Sequence, residues 1–148
     1  MSENPNFVGS FFYSIDSKNR LAVPSKFRFY FRSRKELVLS QGLEGCLNLY
    51  PLEAWGQLKS RLETMSLKNK MEQRAFKRML YSSASEVELD EEGRILIDQS
   101  LVDYAQLKRE AAIIGLGEKI EIWSKEKWEA YRRRQKSAFS RHADELEI

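Results

Sequence analysis

Asp16-Ser17-Lys18-Asn19-Arg20-Leu21-Ala22-Val23 and Asp90-Glu91-Glu92-Gly93-Arg94-Ile95-Leu96-Ile97 share one pattern: an Asp, three residues, an Arg, then an apolar strand. The segments downstream of the two copies are also alike. After the first come a mostly apolar segment from Glu36 to Ser40, a glycine-containing break from Gly42 to Gly45, an alternating strand from Cys46 to Tyr50, and Trp55. After the second come Ala111 to Ile114, Gly115 to Glu118, Lys119 to Trp123, and Trp128. The Asp residues lie roughly 74 positions apart and the Trp residues roughly 73, so the chain reads as two copies of one unit with about one residue inserted in a loop, where insertions are tolerated.

Each copy predicts the same local structure. Phe11 to Ile15 and Leu21 to Val23 read as strands flanking the Asp16 to Arg20 turn, giving a hairpin. Asn19 and Gly93 occupy the same motif position and are residue types that accept positive φ. A three-residue loop ending in such a residue makes a bulged hairpin and sets the flanking Asp and Arg opposite each other, within reach of a charged hydrogen bond. Asp16, Arg20, Asp90 and Arg94 are therefore expected to pin the two turns.

Pro24 suits the start of a short helix over Ser25 to Phe31, with Phe27 and Phe31 on one face and Lys26, Arg28 and Arg32 more outward. Leu37 to Leu39 and Leu47 to Leu49 complete the unit as a strand pair. A helix from about Leu52 to Leu62 aligns Leu52, Trp55, Leu58 and Leu62. Met71, Ala75, Phe76, Met79 and Leu80 describe a further amphipathic helix. Leu101, Ala105 and Leu107 mark the middle of the second unit, and Ser124 N-caps a last helix with Trp128, Tyr131, Gln135 and Phe139 inward, running to a frayed tail, 143–148. No Gly/Ser/Pro-rich linker intervenes, so the halves are expected to pack as one body. The expected division is a first unit over 7–55, connecting helices over 56–80, a second unit over 81–124, and a C-terminal helix and tail over 125–148.

At 148 residues, 42% hydrophobic and 32% charged, the chain has an ordinary soluble balance. No run approaches the roughly 18 apolar residues of a membrane helix, and Met1 to Asn6 has no signal-peptide character, so a cytoplasmic location and no membrane partner are expected. The single cysteine, Cys46, reads as a small buried hydrophobe, and the single histidine, His142, lies in a polar tail. Neither favours a metal centre or a His-dependent nucleophile. Asp16 and Asp90 each carry an Arg partner, which lowers a carboxylate pKa and suits neither to general acid work. P-loop, GxGxxG, CxxC and HExxH patterns are absent, and the glycine loops sit between strands rather than before helices. The expectation is no enzyme, no catalytic residue, no metal, no cofactor and no small-molecule substrate.

Charge is unevenly placed. Net charge is only +3, yet Asp16 to Glu36 is strongly basic and Glu86 to Arg94 strongly acidic, so only the first copy suits a polyanion. Arg20, Lys18, Lys26, Arg28 and Arg32 are the candidate DNA contacts. Lys supplies flexible phosphate neutralisation, and the planar Arg fork can hold guanine bidentately. Arg20 has a competing reading as a purely structural partner of Asp16, and one role does not exclude the other.

These residues resemble the MraZ transcriptional regulators, whose subunits carry two AbrB/SpoVT-like swapped-hairpin units, each marked by DxxxR. The resemblance spans nearly the whole chain: Phe7-x-Gly9, Asp16 to Arg20 with Pro24 and Arg28, Leu49-Tyr50-Pro51 before Trp55, Ala84-Ser85-Glu86 before Asp90 to Arg94, and Glu121-Ile122-Trp123 before Trp128. It implies an α+β fold of duplicated AbrB-like swapped-hairpin β-barrel units in one body, with peripheral amphipathic helices. It also implies a nucleoid-associated bacterial regulator that binds short repeats in double-stranded promoter DNA of its own division and cell wall operon, as a ring-shaped homo-oligomer. The Arg of the first DxxxR contributes to DNA binding in that family, a role that carries over to Arg20. Asn19 replaces the usual Gly of the first motif. Asp98 stands in place of Pro24, and no arginine matches Arg28 in the second copy, so Arg94 is expected to be structural and the second unit to serve assembly. The alternative is an antitoxin-like module that dimerises through a related hairpin fold and holds a partner protein.

Overall fold

A computed structural model describes residues 5–31 and 37–148. In chain order the elements are β1 (Ser10–Ser14), β2 (Arg20–Ala22), α1 (Ser25–Arg28), β3 (Leu37–Gln41), β4 (Leu47–Pro51), α2 (Leu52–Thr64), α3 (Lys70–Ser83), β5 (Ser85–Val87), β6 (Arg94–Leu96), α4 (Gln99–Ala105), β7 (Glu110–Gly115), β8 (Ile120–Ser124) and α5 (Lys125–Glu145). The fold is α+β. Its strands form one antiparallel six-stranded sheet, ordered β1-β7-β8-β4-β3-β5, and a separate ribbon, β2-β6.

The two copies exchange strands. The turn after β1 forms as expected, with Asn19 N–H donating to the Asp16 carbonyl and Asp16 N–H to the Arg20 carbonyl. Its arms then part: beyond the turn they pair at an isolated Ile15–Leu21 bridge and form no ladder with each other. β1 adds to β7 of the second copy, β5 adds to β3 of the first, and β2 pairs with β6. The expected hairpin is thus a turn whose strands find partners in the other half.

Register reveals an internal twofold. In the ribbon Leu21 faces Ile95, with Arg20 opposite Leu96 and Ala22 opposite Arg94. In the sheet Asn48 faces Glu121, with Leu47 opposite Ile122 and Leu49 opposite Ile120. Both arrangements are unchanged when the copies are interchanged. The extra residue of the first copy falls in the β3–β4 turn, which has five residues between Gln41 and Leu47, against four between Gly115 and Ile120 in the β7–β8 turn. Both glycine loops are hairpin turns, as read from sequence.

Period-two alternation divides the sheet into two faces. Leu37, Leu39, Leu47, Leu49, Ala111, Ile113, Ile120 and Ile122 face the ribbon and join Leu21, Val23, Ile95 and Ile97 in one continuous core. On the other face Val38 and Tyr50 meet Trp55 of α2, with Leu80 and Tyr81 of α3 beside them, while Ala112, Ile114 and Trp123 meet Trp128 and Tyr131 of α5. A single body results.

Three helices differ from the sequence reading. Regular α-helix in α1 stops at Arg28, after which Tyr30 and Phe31 N–H groups bond three residues back, in tighter turns. In α3, Leu80 and Tyr81 face inward, leaving the stripe of Met71, Phe76 and Met79 exposed. In α5, the body is left behind after Tyr131: Gln135 is exposed and Phe139 is 70% exposed, and the helix continues to Glu145 instead of fraying at Ala143. Amphipathic spacing fixes which residues share a face, but not which face meets the core.

Candidate nucleic-acid interface

Each turn is built around one carboxylate. Asp16 Oδ1 accepts the backbone N–H groups of Lys18 and Arg20, both at 2.9 Å, while Oδ2 takes Arg20 Nε at 2.7 Å. Asp90 repeats this with Glu92 N–H and Arg94 N–H at 2.9 Å each and Arg94 Nε at 2.9 Å. The fourth motif residue takes the left-handed conformation, φ 62° at Asn19 and φ 77° at Gly93, which lets the turn close. These bonds stabilise the carboxylates: each Asp is held below the ordinary aspartate range, first by the N–H of its motif arginine. All four turn residues expected from the spacing are thus brought together.

The twofold brings the two arginines to one surface. Leu21 and Ile95 point into the core with no exposed surface, so Arg20, Ala22, Arg94 and Leu96 share the ribbon's outer face. The expectation that the copies turn toward separate partners does not follow from where their arginines lie. Their electrostatics do differ. Arg94 is surrounded by Asp90 at 2.9 Å, Glu92 at 3.5 Å and Asp16 at 3.7 Å, and its pKa is raised, first by the hydrogen bond to Asp90. A groove beside the ribbon carries Glu86, Glu88, Asp90 and Asp98 along with the two arginines. At the first turn the corresponding tip is Ser17-Lys18-Asn19, with Lys18 exposed.

The remaining candidate contacts separate. Lys26 is exposed on α1. Arg28, expected to point outward, is half-buried, and its guanidinium lies against Gly93 of the second turn. Its Nε is buried and without a hydrogen-bond partner among the described residues. A four-residue helix has too little periodicity to fix its outward side. Arg32 lies outside the described residues. Sequence reasoning missed the polar latch at the first turn, where Asn19 Nδ2 donates to Gln99 Oε1 at 3.0 Å and Gln99 Nε2 to Asp103 Oδ1 at 2.9 Å. Spacing carries no sign of a bond 80 residues long in sequence. It missed Leu96 too, an aliphatic side chain 57% exposed opposite Arg20.

Among the described residues no group of His, Cys, Asp and Glu is arranged to hold a metal ion. Among the described residues no helix is long and apolar enough to cross a membrane.

Comparison with known proteins agrees with the twofold. A family model described as "MraZ protein, putative antitoxin-like" matches twice, over residues 7–79 and 80–147. Among curated relatives, the transcriptional regulator MraZ of Natranaerobius thermophilus is 41% identical over 140 residues, covering 95% of this chain and 96% of its own length. That of Finegoldia magna is 46% identical over 125 residues (84% and 85%), and that of Clostridium tetani 43% over 125 residues (84% and 86%). These relatives are named as regulators, not enzymes. With both repeats matched and most of each relative covered, the chain belongs to the MraZ family.

Proposed function

We propose that this chain is a sequence-specific, DNA-binding transcriptional regulator, and that Arg20 is its central DNA contact. The observation that carries the reading is the pinned arginine: Nε is held by Asp16 at 2.7 Å on an exposed ribbon face, leaving the terminal nitrogens of a preorganised fork to address a guanine edge or a phosphate. Lys18 at the turn tip and Lys26 on α1 add mobile positive charge for the backbone. Arg28 serves as a clamp between the copies and only secondarily as a contact. Arg32 extends the basic run in sequence.

In this reading the protein works in the cytoplasm at the nucleoid and represses its own division and cell wall operon by binding short promoter repeats as a ring-shaped homo-oligomer. The names of the relatives support regulation. The exposed stripe of Met71, Phe76 and Met79, respectively 71%, 48% and 59% exposed, supports burial against a neighbouring subunit. The residues over 7–55 form the DNA-facing unit and those over 81–124 the assembly unit. A linking segment, 56–80, and a C-terminal one, 125–148, complete the division.

Gel-shift titration on the DNA upstream of its own gene tests this, with Arg20→Ala as the contact variant and light scattering of the free and bound protein. Salt-sensitive binding, lost in the variant while size and fold persist, is expected. Absence of salt-sensitive binding by the wild type would sink the DNA reading, and co-purification of a stoichiometric partner protein would replace it with the antitoxin-like one.

A further inference from the structure

Asp16 stands between the arginines of both copies. Its Oδ2 accepts Arg20 Nε at 2.7 Å, and Arg94 Nη1 approaches the same oxygen at 3.7 Å. No matching bridge joins Arg20 to Asp90 among the described ion pairs. The cross-contact therefore runs one way, from the second motif into the first. Arg94 is itself held at Nε by Asp90 at 2.9 Å, and the Nη1 that approaches Asp16 also lies 3.5 Å from Glu92.

We propose that Arg94 is a positioning residue for DNA recognition, acting through Asp16 on Arg20 without touching DNA. The inference rests on Arg20 being the DNA contact. Reading a base edge with an arginine requires the guanidinium plane to be fixed, because a bidentate pair tolerates little rotation. The plane of Arg20 is set by Asp16, whose Oδ1 is anchored by the backbone N–H groups of Lys18 and Arg20, while Oδ2, the oxygen that grips Arg20, has the guanidinium of Arg94 3.7 Å away as its second cation. Arg94 thereby restrains the end of the carboxylate that Arg20 uses. Arg94 also offsets the negative charge of Asp16, which would otherwise oppose an incoming phosphate. Its own positive charge faces three carboxylates within 3.7 Å and adds little to phosphate attraction. This explains why a motif flanked by glutamates shares a ribbon with one suited to DNA.

The test compares full-length wild type, Arg20→Gln, Arg94→Gln, Arg94→Lys and the Arg20→Gln/Arg94→Gln double variant. Each is titrated by fluorescence anisotropy against a duplex from upstream of its own gene and a shuffled duplex, over a range of salt. The second turn should survive, because two of its bonds to Asp90 come from backbone N–H groups that need no arginine side chain. Circular dichroism and light scattering check this. Arg94→Gln should weaken specific binding about tenfold and reduce discrimination against the shuffled duplex, with the slope of log affinity against log salt unchanged. Arg94→Lys should keep the wild-type fold yet bind as poorly as Arg94→Gln, because one ammonium cannot serve Asp90 and Asp16 together. The double variant should bind no worse than Arg20→Gln.

Undiminished binding by Arg94→Gln, full rescue by Arg94→Lys, or additive losses in the double variant would each overturn the proposal. So would a salt slope that falls by about 0.9, the mark of a lost phosphate contact. If instead the wild type fails to prefer its own duplex, or Arg20→Gln binds normally, the DNA role of Arg20 is what fails.

Discussion

The guanidinium of Arg28 rests on the α-carbon of Gly93, so that a side chain begun at residue 93 would place its first carbon 2.7 Å from Arg28 Cζ. Glycine suits the position twice: it takes the positive φ without a side-chain penalty, and any larger residue would have to displace the Arg28 guanidinium. At the equivalent Asn19 the backbone requirement is met by a residue that enters the left-handed region, and the side chain bonds Gln99.

Exchanging the turn residues should therefore be unequal. Gly93→Asn should lower unfolding free energy by about 1–3 kcal/mol through overpacking, and Asn19→Gly by well under that. Adding Arg28→Ala to Gly93→Asn should recover part of the loss, as urea denaturation would show. Equal losses at the two positions would mean that the Arg28 contact does not shape the turn.

Acid should loosen both turns. Asp16 and Asp90 have pKa values depressed in the folded chain, so their contribution is present above the ordinary aspartate value of about 4 and is lost as pH falls through the lower folded values. Thermal melts of the wild type should therefore fall in midpoint below about pH 4. The Asp16→Asn/Asp90→Asn double variant should start lower at neutral pH and show a flatter acid limb. An acid limb as steep as that of the wild type would assign the effect to other carboxylates.

Cys46 is fully buried, and burial first, then the neighbouring Glu121, pushes its thiol up to about 12. Native protein at pH 8 should consume almost no aromatic disulfide reagent, and denatured protein should consume one equivalent per chain. Because the folded value is raised, the associated stability is complete below an unfolded value of about 8.5 and declines as pH rises toward the folded one. Rapid labelling of native protein would show that the β3–β4 turn opens readily.

The ribbon centre should be equally sensitive from either copy. Leu21 and Ile95 face each other with no exposed surface. Leu21→Ala and Ile95→Ala should each cost about 2–5 kcal/mol, measured by chemical denaturation. A severe loss from one and a negligible loss from the other would contradict a shared core on the twofold.

Much of this architecture was legible in the residues. The Asp and Arg spacing gave both pinned turns, alternation in the Leu47 and Ile120 strands gave the sheet faces, and the roughly one-residue offset difference anticipated a loop insertion. Strand exchange was not legible, because the pattern of Phe11 to Ile15 shows which side is buried and says nothing of which neighbour it joins. The inward turn of Arg28 was hidden for a different reason: Gly93 signals a turn, and nothing local to it announces a guanidinium arriving from the other copy. The outward stripe on α3 shows the same limit, since an amphipathic helix can bury its apolar side against its own core or against another molecule.

Strand exchange also sets a schedule for biosynthesis. Ser10 pairs with Ile114 and Ser14 with Glu110, so the first strand emerges from the ribosome long before its seat exists. Until the β6 and β7 residues are translated, β2 and β1 respectively must wait unpaired, and a chain stopped at the midpoint presents those edges to solvent. Two fragments cut between α2 and α3 should each remain unstructured alone and fold on mixing. The duplication thus makes each half supply strand partners to the other, so that the sheet and the ribbon are completed only when both halves are present.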